Sequence, residues 1–310
     1  MIVDTVSKVM KMKNYIDLHM HSVFSDDGEF TPAELVQRCK EAGVKVMSIA
    51  DHNSAKANVE AKVEAEKVGI QYITGIEIDC TYKGVNLHLL GYGVDETAPV
   101  FAEIEENIRA QEVKASLERL PLTRNLGFEI EVSELNAIAD INKREIWTGE
   151  VFAEVLLAKA EYLDHELLLP YRTGGSRGDN PYVNFYWDFY AQGRPCYSTL
   201  VFPDLNEAIN MIHVNGGKAV LAHPGKNLHG QFELLDEMIL LGLDGVEVFC
   251  SYHSEEIAEY FLGRVVENNL FFTCGSDYHG KTKPSVVLAG HGCFIESDDV
   301  MKQLNIATLS

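Results

Sequence analysis

The sequence predicts an α/β protein: a parallel sheet or barrel of seven strands with crossover helices, interrupted by one inserted, mainly helical subdomain. Three observations lead there. Short apolar, β-branched runs alternate with amphipathic helical stretches. Six of the seven runs carry a His, Asp or Glu near their C-terminal end, where barrel enzymes place their chemistry. One connection, of about 120 residues, is far longer than a crossover helix requires.

The runs, in order, are Tyr15 to Met20, Val44 to Ala50, Tyr72 to Ile78, Val85 to Leu90, Lys218 to Ala222, Gly245 to Phe249 and Leu270 to Cys274. The first crossover helix is punctuated by Thr31 as N-cap, Pro32 in the first turn, Glu34 as capping-box acid and Gly43 as stop. Ser54 to Gly69 reads as the next helix, rich in Ala, Glu, Lys and Val. Asp204, Glu207 and Gly216 repeat the start and stop signals ahead of the fifth run. Between the fourth and fifth runs the chain reads as helical over Ala98 to Leu120, Val132 to Ile141 and Thr148 to Tyr162. A glycine-rich loop (Gly174, Gly175, Gly178) and the aromatic stretch Tyr182 to Tyr190 follow. The expected organisation is a discontinuous barrel over residues 14–97 and 195–297 with a helical cap over 98–194.

Composition narrows the function. A net charge of −21 opposes a sequence-independent grip on a phosphate backbone, so no stable nucleic-acid partner is expected. Cys39, Cys80, Cys196, Cys250, Cys274 and Cys293 are scattered without a CxxC pair, which predicts reduced core thiols. The first fourteen residues mix Lys8, Lys11 and Lys13 with short apolar pieces and lack the pattern of a signal peptide. With no apolar run of membrane-spanning length, the expectation is a cytoplasmic protein without membrane contact.

The chemistry concentrates at the strand ends. In Asp17-Leu18-His19-Met20-His21, extended-chain alternation puts both imidazoles on one face, with Asp17 beside them as a candidate acceptor for a ring N–H. Ser276-Asp277-Tyr278-His279 repeats the two-residue spacing near the other end of the chain. Between them stand Asp51-His52, Glu77, His88 and His223. Imidazole and carboxylate without thiolate suit Zn, Mn or Fe, and the candidate ligands outnumber what one ion can use.

These motifs resemble the polymerase and histidinol phosphatase superfamily, known as PHP. The resemblance covers about residues 14 to 97 and 195 to 295. Its motifs are Asp17 to Ser22, Ser25-Asp26-Asp27-Gly28, Thr31 to Leu35, Ala50-Asp51-His52, Gly75-Ile76-Glu77, Leu221 to Gly225 and Gly275 to Gly280. It implies a distorted seven-stranded (β/α) barrel with three metals. His19, His21, Glu77 and Asp277 would hold one, Asp26, His52 and His279 a second, and Glu77, His88 and His223 the third, with Glu77 bridging. The implied reaction is hydrolysis of a phosphomonoester by a metal-activated hydroxide, with no nucleophilic side chain.

The motifs are most similar to those of small phosphatases acting on nucleoside monophosphates or 3′,5′-bisphosphates. That similarity makes Arg109 a phosphate-binding candidate. Glu112 stands where the subgroup has a second basic residue, and Thr148-Gly149-Glu150 where it often reads Arg-Pro-His. The loop Gly174-Gly175-Ser176-Arg177-Gly178 offers a second phosphate cradle, with Arg177 in it. A phosphodiesterase or exonuclease, a histidinol phosphate phosphatase and a non-catalytic metal-binding module are the alternatives. His165, His213, His229, His253 and His291 stand outside the ligand pattern, and Glu247 on the sixth run is a candidate supporting residue.

Overall fold

The computed structural model describes residues 14–141 and 146–304. The reading of Lys8, Lys11 and Lys13 lies outside the described residues. Strands β1 (Ile16–Asp17), β2 (Val46–Met47) and β3 (Gln71–Tyr72) form a parallel three-stranded sheet. Strands β4 (Gly75–Tyr82), β5 (Val85–Tyr92), β6 (Lys218–Leu221), β7 (Gly245–Cys250) and β8 (Phe271–Gly275) form a five-stranded sheet in that order. Hydrogen bonds join the two sheets at both edges. Leu18 N–H donates to Cys274 C=O at 3.1 Å and His21 N–H to Tyr278 C=O at 2.9 Å. On the other side, Glu77 N–H reaches Asp51 C=O at 3.0 Å and Asn53 N–H reaches Glu77 C=O at 2.7 Å.

The expectation of wholly parallel pairing is corrected here. β4 pairs antiparallel with β5, and β5 antiparallel with β6; only β6, β7 and β8 continue in parallel. The cause is local. Lys83 and Gly84 both take positive φ, 50° and 80°, which closes a two-residue hairpin whose twist matches its strands. The run Tyr72 to Ile78 also divides, because Thr74 turns aside to donate its hydroxyl to Val94 C=O at 2.8 Å. Glu77 therefore stands third in β4, facing the isolated bridge at His52.

Helix α1 (Pro32–Ala42) has the capping box that Thr31 and Glu34 predict, and Gly43 ends it at φ 80°. Helix α2 (Ala57–Val68) starts three residues after Ser54, whose hydroxyl accepts Lys56 N–H at 3.3 Å. The long connection contains α3 (Pro99–Asn125), α4 (Val132–Ile141), α5 (Gly149–Ala158) and α6 (Pro181–Phe189). α3 runs past Pro121, a residue that removes one helical hydrogen bond, because Leu120 and Thr123 on either side of it are buried. Helices α7 (Leu205–Val214), α8 (Pro224–Asn227), α9 (Leu234–Leu240), α10 (Glu255–Glu267) and α11 (Ser297–Leu304) complete the chain.

Three cores result. One lies within the strands and against α7, α9 and α10, and another joins α1, α2 and β2. The third is built only from residues between Leu120 and Cys196, with Phe152, Phe185 and Tyr190 at its centre. Among the described residues no helix is long and apolar enough to cross a membrane.

Candidate metal centre

Extended backbone at the end of β1 aims His19 and His21 inward, and Gly275 lets β8 close against them. A Cβ on Gly275 would lie 2.2 Å from the His19 Cβ, so any other residue would push the strands apart. Just beyond, Asp277 takes φ 57°, and His223, at the end of β6, takes φ 22°. Non-glycine residues held in such conformations mark places where the surrounding structure dictates the side-chain direction.

His19 Nε2, His21 Nε2, Glu77 Oε2 and Asp277 Oδ1 converge, with separations of 3.1 Å between the two nitrogens and 3.2–3.4 Å between nitrogens and oxygens. This is the spacing of neighbouring ligands around an ion bound at roughly 2.0–2.2 Å. The protonation pattern supports that reading. His19 Nδ1 donates to Glu247 Oε1 at 2.9 Å, His21 Nδ1 to Ser25 Oγ at 2.8 Å and His279 Nδ1 to Asp277 C=O at 2.8 Å. Each Nε2 is thereby the ring nitrogen turned toward the cluster, and it would offer its lone pair to an ion that displaces its proton.

A second group gathers His21, Asp27, His52 and His279, with His279 Nε2 3.1 Å from Asp27 Oδ2. A third surrounds the other Glu77 oxygen. Oε1 lies 3.1 Å from His88 Nδ1 and 3.2 Å from His223 Nε2, while Oε2 lies 3.1 Å from His52 Nδ1. His52 Nδ1, Glu77 Oε2 and His279 Nε2 are buried and, among the described residues, form no hydrogen bond of acceptable geometry. Buried polar atoms left without hydrogen-bond partners beside carboxylates fit a donor set built for cations.

In the metal-free protein, burial opposes charging His19, but the carboxylates of Glu247, Glu77 and Asp277 outweigh it and hold its pKa well above the ordinary value. Burial, with His279 and His52 close by, pushes His21 down to about 3. Burial works against ionising Glu77, yet His19, His52 and His88 hold its pKa far below the usual range.

The structure thus brings together His19, His21, His52, Glu77, His88, His223, Asp277 and His279. Asp26 is exposed and lines the cavity beside them, and its neighbour Asp27 lies 3.1 Å from His279 Nε2. Asp79, two residues beyond Glu77 and paired with His88 across the hairpin, also reaches His88 Nε2 at 3.4 Å. Asp17 does not hold a ring N–H; its carboxylate accepts Ser276 N–H and hydroxyl and Ala289 N–H at 2.7–2.9 Å, which ties β1 to β8.

The cluster floors a cavity of about 120 Å³. Lys226, Lys283, Tyr252 and, from the long connection, Glu112, Tyr186 and Trp187 line it. Arg109, the phosphate-binding candidate, is not among these lining residues. Helical periodicity points Ile108 and Glu112, four residues apart, at the cavity and rotates Arg109 outward, where it pairs with Glu106 at 3.0 Å. The glycine loop is not a cradle either, because the N–H groups of Gly175, Arg177 and Gly178 are spent on Arg172, Pro170 and Gly175 carbonyls. The Arg177 side chain, paired with Asp188 at 2.9 Å, lines a second cavity with Arg194, Lys226 and His229 that shares Trp187 and Glu112 with the first.

The histidines outside the pattern are held locally: His213 by Asp244, His253 by Val248 C=O and Gly225 N–H, His291 by Ile16 C=O, and His165 against Phe128. His229 borders the second cavity. Lys226, Lys283, Tyr252 and Arg194 carry no signal in the sequence that separates them from ordinary polar residues, whereas Asp27 stands beside Asp26 in the Ser25 to Gly28 motif.

The fold and the histidine–carboxylate cluster define a metal-dependent hydrolase. Residues 17–163 match the model of the PHP domain. The chain is similar to the metal-dependent phosphoesterases that carry this domain. It is 28% identical, over 86% of its length and 94% of the relative, to the phosphoribosyl 1,2-cyclic phosphate 1,2-diphosphodiesterase of Eggerthella lenta. It is 27% identical, over 85% and 87%, to the 3′,5′-nucleoside bisphosphate phosphatase of Chromobacterium violaceum, and 28% identical, over 86% and 91%, to a 5′-3′ exoribonuclease of Haemophilus influenzae. A Bifidobacterium adolescentis protein, assigned by inference to the metal-dependent phosphoesterases, superposes with a TM-score of 0.75 over 95% of this chain and 96% of that one, at 26% identity.

Proposed function

We propose that this protein is a phosphomonoesterase for a small, nucleotide-sized substrate bearing a second anionic group, such as a nucleoside 3′,5′-bisphosphate. One observation carries the reading. In a chain of net charge −21, three cations, Lys226, Arg177 and Arg194, line the two connected cavities that begin at the ligand cluster. Burial depresses the pKa of Lys226, and Arg177, Lys283 and Arg194 lie near enough to depress it further. Cations crowded at that cost are suited to two phosphates.

Three divalent ions would be held by His19, His21, Glu77 and Asp277; by Asp27, His52 and His279; and by Glu77, His88 and His223. Bound there, they would lower the pKa of a water and neutralise charge on the phosphoryl group. The chain's own residues do the rest. Lys226, its ammonium 4.3 Å from the Trp187 ring centroid, stands where the two cavities meet and would orient the phosphate. Trp187 and Tyr186 offer flat surfaces for a base or sugar, and the Leu120 to Cys196 core would hold them over the cluster as a cap spanning 98–194. We read the two sheets, joined at both edges, as one distorted barrel over 14–97 and 195–297.

Hydrolysis of a diester is the second reading, favoured by the open continuation of the site past Trp187 toward Arg177, Arg194 and His229. A manganese-loaded assay across nucleoside mono- and bisphosphates, a cyclic phosphate and a short oligonucleotide, which follows phosphate release from the monoesters and separates the nucleotide products of the diesters by chromatography, distinguishes the two. Fastest release from a bisphosphate is expected. Faster cleavage of the oligonucleotide or cyclic ester would reverse the assignment.

A further inference from the structure

Asp277 presents its two carboxylate oxygens to different worlds. Oδ1 faces His21 Nε2 at 3.2 Å and His19 Nε2 at 3.4 Å. Oδ2 takes the Tyr252 hydroxyl at 2.6 Å and the Lys283 ammonium at 2.6 Å. Lys283 is 5% exposed, and its Nζ lies 5.3 Å from the Tyr252 ring centroid, so the two donors brace one another as well as the carboxylate. Both belong to the cavity wall, from opposite sides: Tyr252 follows β7, and Lys283 ends the turn after His279. The backbone of Asp277 is held at positive φ while its N–H donates to His19 C=O at 2.7 Å, so side chain and main chain are both fixed.

We propose that Lys283 and Tyr252 are positioning residues that clamp Oδ2 of Asp277, limit this carboxylate to one ligating oxygen, and so keep a coordination position open for water or a phosphoryl oxygen. The clamp rests on the reading of the cluster as a metal centre. The reason is one of alternatives. A carboxylate with both oxygens free can swing to bidentate ligation and fill the position that chemistry needs. Two charge-assisted hydrogen bonds to Oδ2 oppose that swing, since a bidentate pose would break both and leave a buried ammonium without its partner.

Cobalt(II) substitution reads the coordination number directly, because its visible absorption weakens as ligands are added. Lys283→Met and Tyr252→Phe should bind as much cobalt as the unaltered protein, with weaker visible absorption. In the manganese enzyme, kcat for p-nitrophenyl phosphate should fall roughly 10–100-fold with KM little changed. Lys283→Arg, which keeps donor and charge, should recover most of both signals. Tyr252→Phe removes a single hydroxyl and guards against a folding defect in the lysine variant. Variants with unaltered cobalt spectra overturn the clamp, whether kcat falls or not. An unaltered protein that binds no cobalt overturns the metal reading and the clamp together.

Discussion

Glu247 binds His19 Nδ1 through Oε1 at 2.9 Å, and its other oxygen accepts the His223 backbone N–H at 2.8 Å. One buried carboxylate on β7 thus aligns candidate ligands from β1 and from the end of β6. Replacing it with alanine should weaken metal binding roughly 10–100-fold, measured by competition with a chelator, while Glu247→Gln, which keeps one acceptor oxygen and so one of the two hydrogen bonds, should lose less. Equal affinity in all three proteins would show that alignment of His19 does not depend on this side chain.

Asp26 and Asp27 are neighbours with different surroundings. Asp27→Asn should reduce both metal content and turnover by at least about tenfold, whereas Asp26→Asn should keep full metal content. Metal analysis of the two variants, prepared side by side, decides which residue ligates.

The cations of the second cavity divide binding from chemistry. Arg194→Ala and Arg177→Ala should raise KM for a bisphosphate by roughly 10–100-fold, the value of a charge-assisted hydrogen bond, with kcat nearly unchanged. For a matched monophosphate the same variants should behave like the unaltered enzyme. A loss shared equally by both substrates would place these arginines at the scissile phosphate instead.

Protons and metals compete for His52. Burial disfavours its charge, but Glu77, Asp27 and Asp79 outweigh burial and raise its pKa from 6.5 to about 9 in the metal-free protein. Metal binding must expel that proton, so apparent affinity should climb with pH to about 9 and then flatten, with proton release measurable in weak buffer. A group whose pKa rises on folding stabilises the fold fully below its unfolded value and loses that contribution as pH passes the folded value. The melting temperature of the metal-free protein should therefore gain from His52 below pH 6.5 and lose that gain on the way to about pH 9, a window absent after metal loading.

Gly275→Ala tests the seam between β1 and β8. With the new Cβ 2.2 Å from that of His19, the strands must separate, at a cost of about 1–3 kcal/mol. Chemical denaturation should show that loss, and metal affinity should fall with it.

Local signals made much of this molecule legible. The helix starts at Thr31 and Asp204 are short-range chemistry, and the chain places the capping boxes there. The pairing of His19 with His21, and of Asp277 with His279, follows from two-residue spacing alone. The hairpin was legible too, in the Lys83-Gly84 pair between two apolar runs, but an expectation of parallel pairing concealed it.

What the sequence by itself determined was the α/β class, the long helical connection and the set of imidazoles and carboxylates, because periodicity, capping and ligand chemistry are properties of neighbouring residues. Tertiary structure alone decided which oxygen meets which nitrogen. Asp27 meets His279, Glu247 and not Asp17 meets the His19 ring, Arg109 pairs with Glu106, and Lys226 and Lys283 line the cavity. Each of these choices depends on where a strand or helix from a distant part of the chain comes to rest, since a rotation of about 100° per helical residue separates a cavity wall from solvent.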